Sequence, residues 1–568
     1  MSRIFRAAAG AVLALSLGLG APATGRAEDG QAGPYLAAQL AGVSSDYLAA
    51  AEWYQRASDA DPTNEQLRQQ AVFSQILAGR VDQAIEKAGS LNKGDAVATV
   101  LLIADAAQKE DYRRILDDLA AGRRSGPLID GLAKGWALFG IGQVNEATAA
   151  FDDLTKQPAL RPFAMYHKGL ALALVGDFEG ALKALDDKST QPLQSTRRYW
   201  LAKAQILSQL ERNADAIALF EKSFGAYPAP GFLDLRKRLE AGEPLPFDVV
   251  ENARDGIGEA FYSTALVSIN QTTDPETLSY ARLAAFLRPA NVDVTLLVAT
   301  ILEKTGQNDL AADAYKTISR EDPAWYPAEL GRADAVAAAG RTDAAIEILE
   351  ALAKTAPDTP DAWVRLGDML RRAERYGDAI AAYDKGIAAL GEVRPEQWGA
   401  YYARGICNER SKNWPRAEAD FTQALKLNPD QPDVLNYMGY SLLERKERLD
   451  EALSMIERAS KAEPDSGAIT DSLGWALYRM GRHAEAVSHM ERAVELMPVD
   501  PVINDHLGDV YWTVGRKREA EYQWKRALSF KPDSEEEAAR IRRKLEVGLE
   551  AALKEEGAAV PSVSVNGN

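Results

Sequence analysis

The sequence predicts an all-α fold, a solenoid of stacked antiparallel helix pairs, from three observations. Pro464, Pro498 and Pro532 stand 34 residues apart, a spacing at which one helix–turn–helix unit can recur. Between them the same small residues return: Gly439, Gly474 and Gly508, then Ala452, Ala486 and Ala520, then Ala459, Ala493 and Ala527. Read backwards, the same pattern recurs over most of the 568 residues.

Each position has a physical reason. Glycine at a helix crossing lets two backbones approach with no side chain between them. Ile456, Met490 and Trp524 lie between the paired alanines of the second helix and are expected to point into the layer between neighbouring pairs. Proline lacks the N–H and disfavours helix in the residue before it, so it fixes where each unit stops. One pair cannot bury its apolar face alone, whereas stacked neighbours can.

The runs LNYMGYSL, TDSLGWALYRMG and NDHLGDVYWTVG, each followed by its alanines and stop proline, closely resemble the tetratricopeptide repeat (TPR). The resemblance implies a right-handed superhelix, an α-solenoid of about 12–15 helix pairs. Earlier blocks keep the pattern: Gly405, Ala417, Phe421 and Ala424; Gly367, Ala379 and Tyr383; Ala333, Ala345 and Leu349; Ala299, Ala311 and Tyr315. Nearer the N-terminus it returns with Ala204, Ala216 and Phe220, with Gly169, Ala181 and Leu185, and with Gly135, Ala147 and Phe151. The match weakens between Glu28 and Arg124.

From Pro228 to Gly258 the rhythm breaks, with three further prolines and no full repeat. The stretch reads either as a hinge joining two arrays or as an elongated loop inside one solenoid. The expected layout is a signal peptide at 1–27, an N-terminal array at 28–228, a linker or irregular segment at 229–257 and a C-terminal array at 258–533. A capping helix at 534–556 and a disordered tail at 557–568 follow. Glu535, Glu536 and Glu537 suit the first turn of that cap.

Arg3, Arg6 and the short apolar run Ala7–Leu19 have the form of an export signal, cut before Glu28 or after Ala23. The expected location is the periplasm of a Gram-negative host. With no cysteine near the cut, no lipid anchor is expected, which leaves membrane association open.

The net charge of −17 argues against nucleic acid as a partner, since phosphates need a basic face. Cys407 is the single cysteine, so no internal disulfide framework forms and a buried, inert thiol is expected. His167, His483, His489 and His506 lack metal-ligand spacing, and neither an HExxH motif nor a Gly-Lys dipeptide occurs. The expectation is therefore no catalytic, cofactor or metal site, and a protein-interaction surface instead.

In TPR folds the first helix of each pair faces the concave groove. Carried onto this sequence, the groove positions are Asn436 and Tyr440, then Asp471, Trp475 and Tyr478, then Asp505, Asp509 and Trp512. Aromatics offered beside carboxylates and an amide suit a peptide ligand; the alternative is that Trp475 and Trp512 pack against the neighbouring repeat. Beyond the generic pattern, the C-terminal half is similar to periplasmic adaptors of the carboxyl-terminal-processing protease (the LbcA-like group). That resemblance implies protein partners: a periplasmic protease and substrates such as peptidoglycan hydrolases. A structural scaffold for an export or outer-membrane assembly machine, such as polysaccharide secretion, fits the same residues.

Overall fold

The computed structural model describes residues 32–557, apart from 90, 93, 195, 225–229 and 270–274. Among them are 31 α-helices, two short 3-10 turns and no strand. The expected leader, and all but the first residue of the expected tail, lie outside the described residues. The chain divides into two compact units, residues 1–328 and 329–568.

The first unit opens with helix pairs: α1 (Ala32–Val43) with α2 (Tyr47–Ala60), α3 (Glu65–Leu77) with α4 (Val81–Ala88), and α5 (Ala96–Gln108) with α6 (Tyr112–Ala120). Then come α7 (Pro127–Gly140) with α8 (Val144–Leu154), α9 (Arg161–Leu174) with α10 (Phe178–Leu185), and α11 (Arg197–Gln209) with α12 (Asn213–Phe224). Asp46, Asn64, Asp95, Asp111 and Asp177 each accept a backbone N–H from the first turn of the helix that follows. These caps fix where the helices begin.

After α13 (Pro230–Glu240), residues 243–251 form an irregular strap along α11. Leu245 N donates to Ser208 Oγ at 2.9 Å, and Gln209 Nε2 donates to the Leu245 carbonyl at 2.6 Å. The chain then returns as α14 (Ala253–Ser268) and α15 (Pro275–Leu287). Helix α14 lies across the first helices α5, α7 and α9, and α15 lies against α3 and α5. The face that an open solenoid would present is therefore covered by the chain itself.

A buried ionic network holds this arrangement. Glu259 on α14 accepts from Tyr166 Oη at 2.8 Å and Arg198 Nε at 2.9 Å; Arg288 adds a contact at 3.2 Å. The expected segment 229–257 thus does not separate two arrays. The helix that follows packs back onto the N-terminal repeats, and the division falls at residue 328. Helices α16 (Val292–Lys304) and α17 (Asn308–Lys316) complete this unit, and α18 (Trp325–Ala338) runs across the division.

The second unit continues with α19 (Thr342–Thr355) and then five regular pairs. These are α20 (Pro360–Arg372) with α21 (Tyr376–Ala388), α22 (Trp398–Arg410) with α23 (Trp414–Leu427), and α24 (Pro432–Glu444) with α25 (Leu449–Ala462). The last two are α26 (Gly467–Arg479) with α27 (His483–Leu496) and α28 (Pro501–Thr513) with α29 (Lys517–Ser529). The glycine positions act as the spacing requires. A Cβ on Gly439 would come within 2.8 Å of Ile456, and one on Gly405 within 2.6 Å of Phe421. Gly474 and Gly508 are closed on Met490 and Trp524 in the same way. Ile456, Met490 and Trp524 are fully buried. Cys407 is buried too, and that burial pushes its thiol up to about 11.

The expected capping helix is two helices, α30 (Glu535–Val547) and α31 (Leu549–Glu555). Gly548 between them has φ +85°, a conformation that costs other residues energy. Ser534 Oγ accepts from Glu537 N at 3.1 Å, and Glu535–Glu537 occupy the first turn at the positive end of the helix dipole.

Candidate functional site

Consecutive first helices of the second unit pack on one another: α20 on α22, α24 on α26, and α26 on α28. The residues three before and one after each crossing glycine therefore face the next first helix. This decides the fate of most of the expected groove residues.

At the end of the unit that position is closed. Lys544 on α30 is buried, and its Nζ lies 2.8–2.9 Å from both Asp505 oxygens and 2.7–2.8 Å from both Asp509 oxygens. Asp509 also accepts from Trp524 Nε1 at 3.0 Å. Burial works against the Lys544 charge, but the two carboxylates more than offset it and raise its pKa. Trp512 is half-buried; its Nε1 donates to Glu550 at 2.6 Å, and Lys517 sits over its ring.

One repeat earlier, His506 on α28 fills the equivalent place. Its Nδ1 lies 3.1 Å from both Asp471 oxygens, and its ring is stacked on Trp475 with centroids 3.9 Å apart. Burial opposes protonation of His506, yet Asp471, with Asp505 and Asp509 behind it, raises its pKa above the usual histidine value. Trp475 in turn stacks on Tyr478 at 4.8 Å. Trp475 is 8% exposed and Tyr478 5%.

The expectation that these aromatics stand open as a ladder is thus corrected. Trp475 and Tyr478 are core, and Asp471 and Asp509 are buried. Asp505 is tied to Lys544. The physical reason is stacking: each set is consumed by the next first helix, including the cap.

One repeat earlier again, the same face is open. Asn436 and Tyr440 on α24 border a cleft of about 720 Å³ that runs from Trp414 to His506. Asn436 Oδ1 is buried without a hydrogen-bond partner, and so is the indole N–H of Trp414. Burial and the nearby Glu444 carboxylate raise the Tyr440 pKa. Glu444 accepts from Arg479 Nη1 at 2.7 Å, and Tyr437 Oη donates to Glu409 at 3.1 Å. Met497 and Val502 lie on the rim, 37% and 39% exposed, with Val499 beside them at 67%. Of the eight expected groove residues, the cleft brings together Asn436, Tyr440 and Asp471. It adds Tyr437, Glu444, Ser472, Met497 and Val502, which the repeat pattern alone did not single out. Such a surface offers polar groups without partners beside exposed apolar side chains, the makings of a protein contact.

Comparison with known proteins agrees with the helix-pair geometry. Tetratricopeptide repeat profiles match residues 132–194, 330–392 and 437–501, with further matches at 398–431 and 198–230. The chain is 31% identical over 164 residues to the TPR repeat-containing protein PA4667 of Pseudomonas aeruginosa, covering 28% of this chain and 27% of that one. It is 28% identical over 186 residues to human Tetratricopeptide repeat protein 13, covering 32% and 21%. It thus spans about a quarter of the length of these curated relatives. Among solved structures, the Cut9–Hcn1 hetero-tetramer of APC/C aligns over 92% of this chain and 96% of that one, at 15% identity and a TM-score of 0.39. The matched repeats lie in both units, so each unit contains tetratricopeptide repeats.

Proposed function

We propose that the protein is a non-enzymatic interaction scaffold of the bacterial cell envelope, and that the cleft between α22 and α28 is where it holds a partner polypeptide. One observation carries this reading: a cleft with an apolar rim contains a buried acceptor and a buried donor that have no partner in the chain. Buried polar atoms without partners cost free energy, and a peptide backbone supplies both missing groups. In its finer form the reading is an exported adaptor that presents substrates, such as peptidoglycan hydrolases, to a periplasmic carboxyl-terminal-processing protease. This rests on the resemblance of the C-terminal half and on the export-type N-terminus.

The test is site-specific photocrosslinking in native cells. A photoreactive phenylalanine would replace Tyr440 in the cleft or, as control, Tyr522, which is 62% exposed on α29. The expected result is a discrete adduct at position 440, containing a processing protease or its substrate, with none at 522. Adducts to export-machine components would favour the alternative scaffold. Crosslinking at 522 alone would overturn the cleft as the binding face.

A further inference from the structure

The last three first helices share a register. Asn436, Asp471 and Asp505 each stand three residues before a crossing glycine, and each carries a side-chain acceptor. Two of the three are served. Asp505 receives Lys544, and Asp471 receives His506, which stands two residues before Gly508. The residue two before Gly474 is Ser472, too short to reach across. Its hydroxyl turns back to the Ala468 carbonyl at 3.0 Å. Ala468, in turn, stands where the next repeat has Val502. Two small residues thus replace a large pair, and they leave Asn436 Oδ1 unserved and the cleft open.

The chain shows what this face accepts. Helix α30 presents Ala538, Ile541 and Lys544 at three-residue intervals, all buried, with the ammonium on two carboxylates. We infer that the cleft takes a helical segment of a partner protein with that chemistry: an apolar side chain followed one turn later by a lysine or arginine. The cation enters the space that Ser472 leaves, toward Asn436 Oδ1 and the Asp471 and Glu444 carboxylates, and the apolar side chain lies against Met497 and Val502. Charge complementarity favours this direction. Arg410, Lys412 and Arg445 gather with Trp414 at the far end of the cleft. Arg445 sits over the Trp414 ring at 4.9 Å and pairs with Glu447 at 3.0 Å. That end suits the segment's carbonyls or acidic residues, which would also meet the Trp414 N–H.

The inference rests on the cleft being a protein-binding face, and its test separates the two. The probe is a fluorescein-labelled, helix-stapled peptide of residues 535–547, titrated by anisotropy into the full chain. A second peptide carries glutamate in place of the residue corresponding to Lys544. The lysine peptide should saturate and bind at least tenfold tighter than the glutamate peptide. Ser472→His, which restores the residue used one repeat later, should weaken it at least tenfold. Asn436→Asp, which restores the carboxylate of the neighbouring repeats, should tighten it severalfold and leave the glutamate peptide unimproved. If Ser472→His lowers the melting temperature, Asn436→Asp decides alone. Equal affinity for both peptides, or no response to either substitution, overturns the inference. If that occurs while position 440 still crosslinks to a partner in cells, the cleft remains the binding face and the partner chemistry is other than cationic.

Discussion

The imidazole of His506 lies flat on the indole of Trp475, with ring centroids 3.9 Å apart and planes inclined by 11°. A contact this close between consecutive repeats makes Trp475 part of the stack. Trp475→Ala should therefore destabilise the second unit by about 3–5 kcal/mol, the range for buried Trp truncations. Trp524→Ala should cost a similar amount. Urea unfolding of both variants is the check, and a Trp475 variant of unchanged midpoint would return that residue to the surface.

Gly474→Leu should be strongly destabilising. A Cβ alone already meets Met490, and Leu adds a branched side chain to a closed crossing, at a cost of roughly 1–3 kcal/mol or more. The melting temperature of the full chain measures it.

Lys544→Met should destabilise the C-terminal end by about 3–5 kcal/mol, because it leaves the buried Asp509 and the half-buried Asp505 carboxylates without their cation. The triple variant Lys544→Met, Asp505→Asn, Asp509→Asn should recover much of that loss. Hydrogen exchange should show α30 and α31 opening first in the single variant. Protection equal to that of the unaltered chain would contradict this role for the ammonium.

His167 in the first unit and His506 in the second should contribute to the pH dependence of stability with opposite sign. In the first, His167 is fully buried, accepts from Trp136 Nε1 at 3.0 Å, and has its pKa lowered by burial to about 4. The unfolded chain then binds the extra proton between about pH 6.5 and 4, so stability is lost as pH falls through that window, by on the order of 3 kcal/mol. In the second, the raised pKa of His506 means its contribution is complete below about pH 6.5 and is lost as pH rises through the folded value. His167→Phe should flatten the acid limb of a stability–pH profile, and His506→Gln the neutral limb.

Much of the fold was legible because glycine, alanine and proline mark backbone approach and termination, which are local demands. Gly439, Gly474 and Gly508 each sit at a close helix crossing, as expected, and the residues they close on, Ile456, Met490 and Trp524, belong to the second helix of the same pair. The site was less legible. The repeat pattern marks which residues point along the array, but not whether the next helix reaches them. Asp471 and Asn436 occupy one register position, yet one is paired and the other is not, and the difference lies in His506 and Ser472 on different helices. Comparing the sizes of facing positions across successive repeats could have found the gap. The return of α14 onto α5, α7 and α9 had no signal in the period, since Glu259 and Arg198 are 61 residues apart.

That return also bears on how the chain acquires its structure. In the second unit, each stabilising contact described above joins residues no more than 39 positions apart, so its pairs can form in succession as they emerge from a ribosome or a translocation channel. The first unit has no such option. Tyr166 and His167 wait for partners 93 and 96 residues downstream, so its early pairs stay incomplete until α14 arrives. Closing such long loops slows folding. The N-terminal half, although made first, should be the later to mature, and the one that depends on protection from aggregation in the interval.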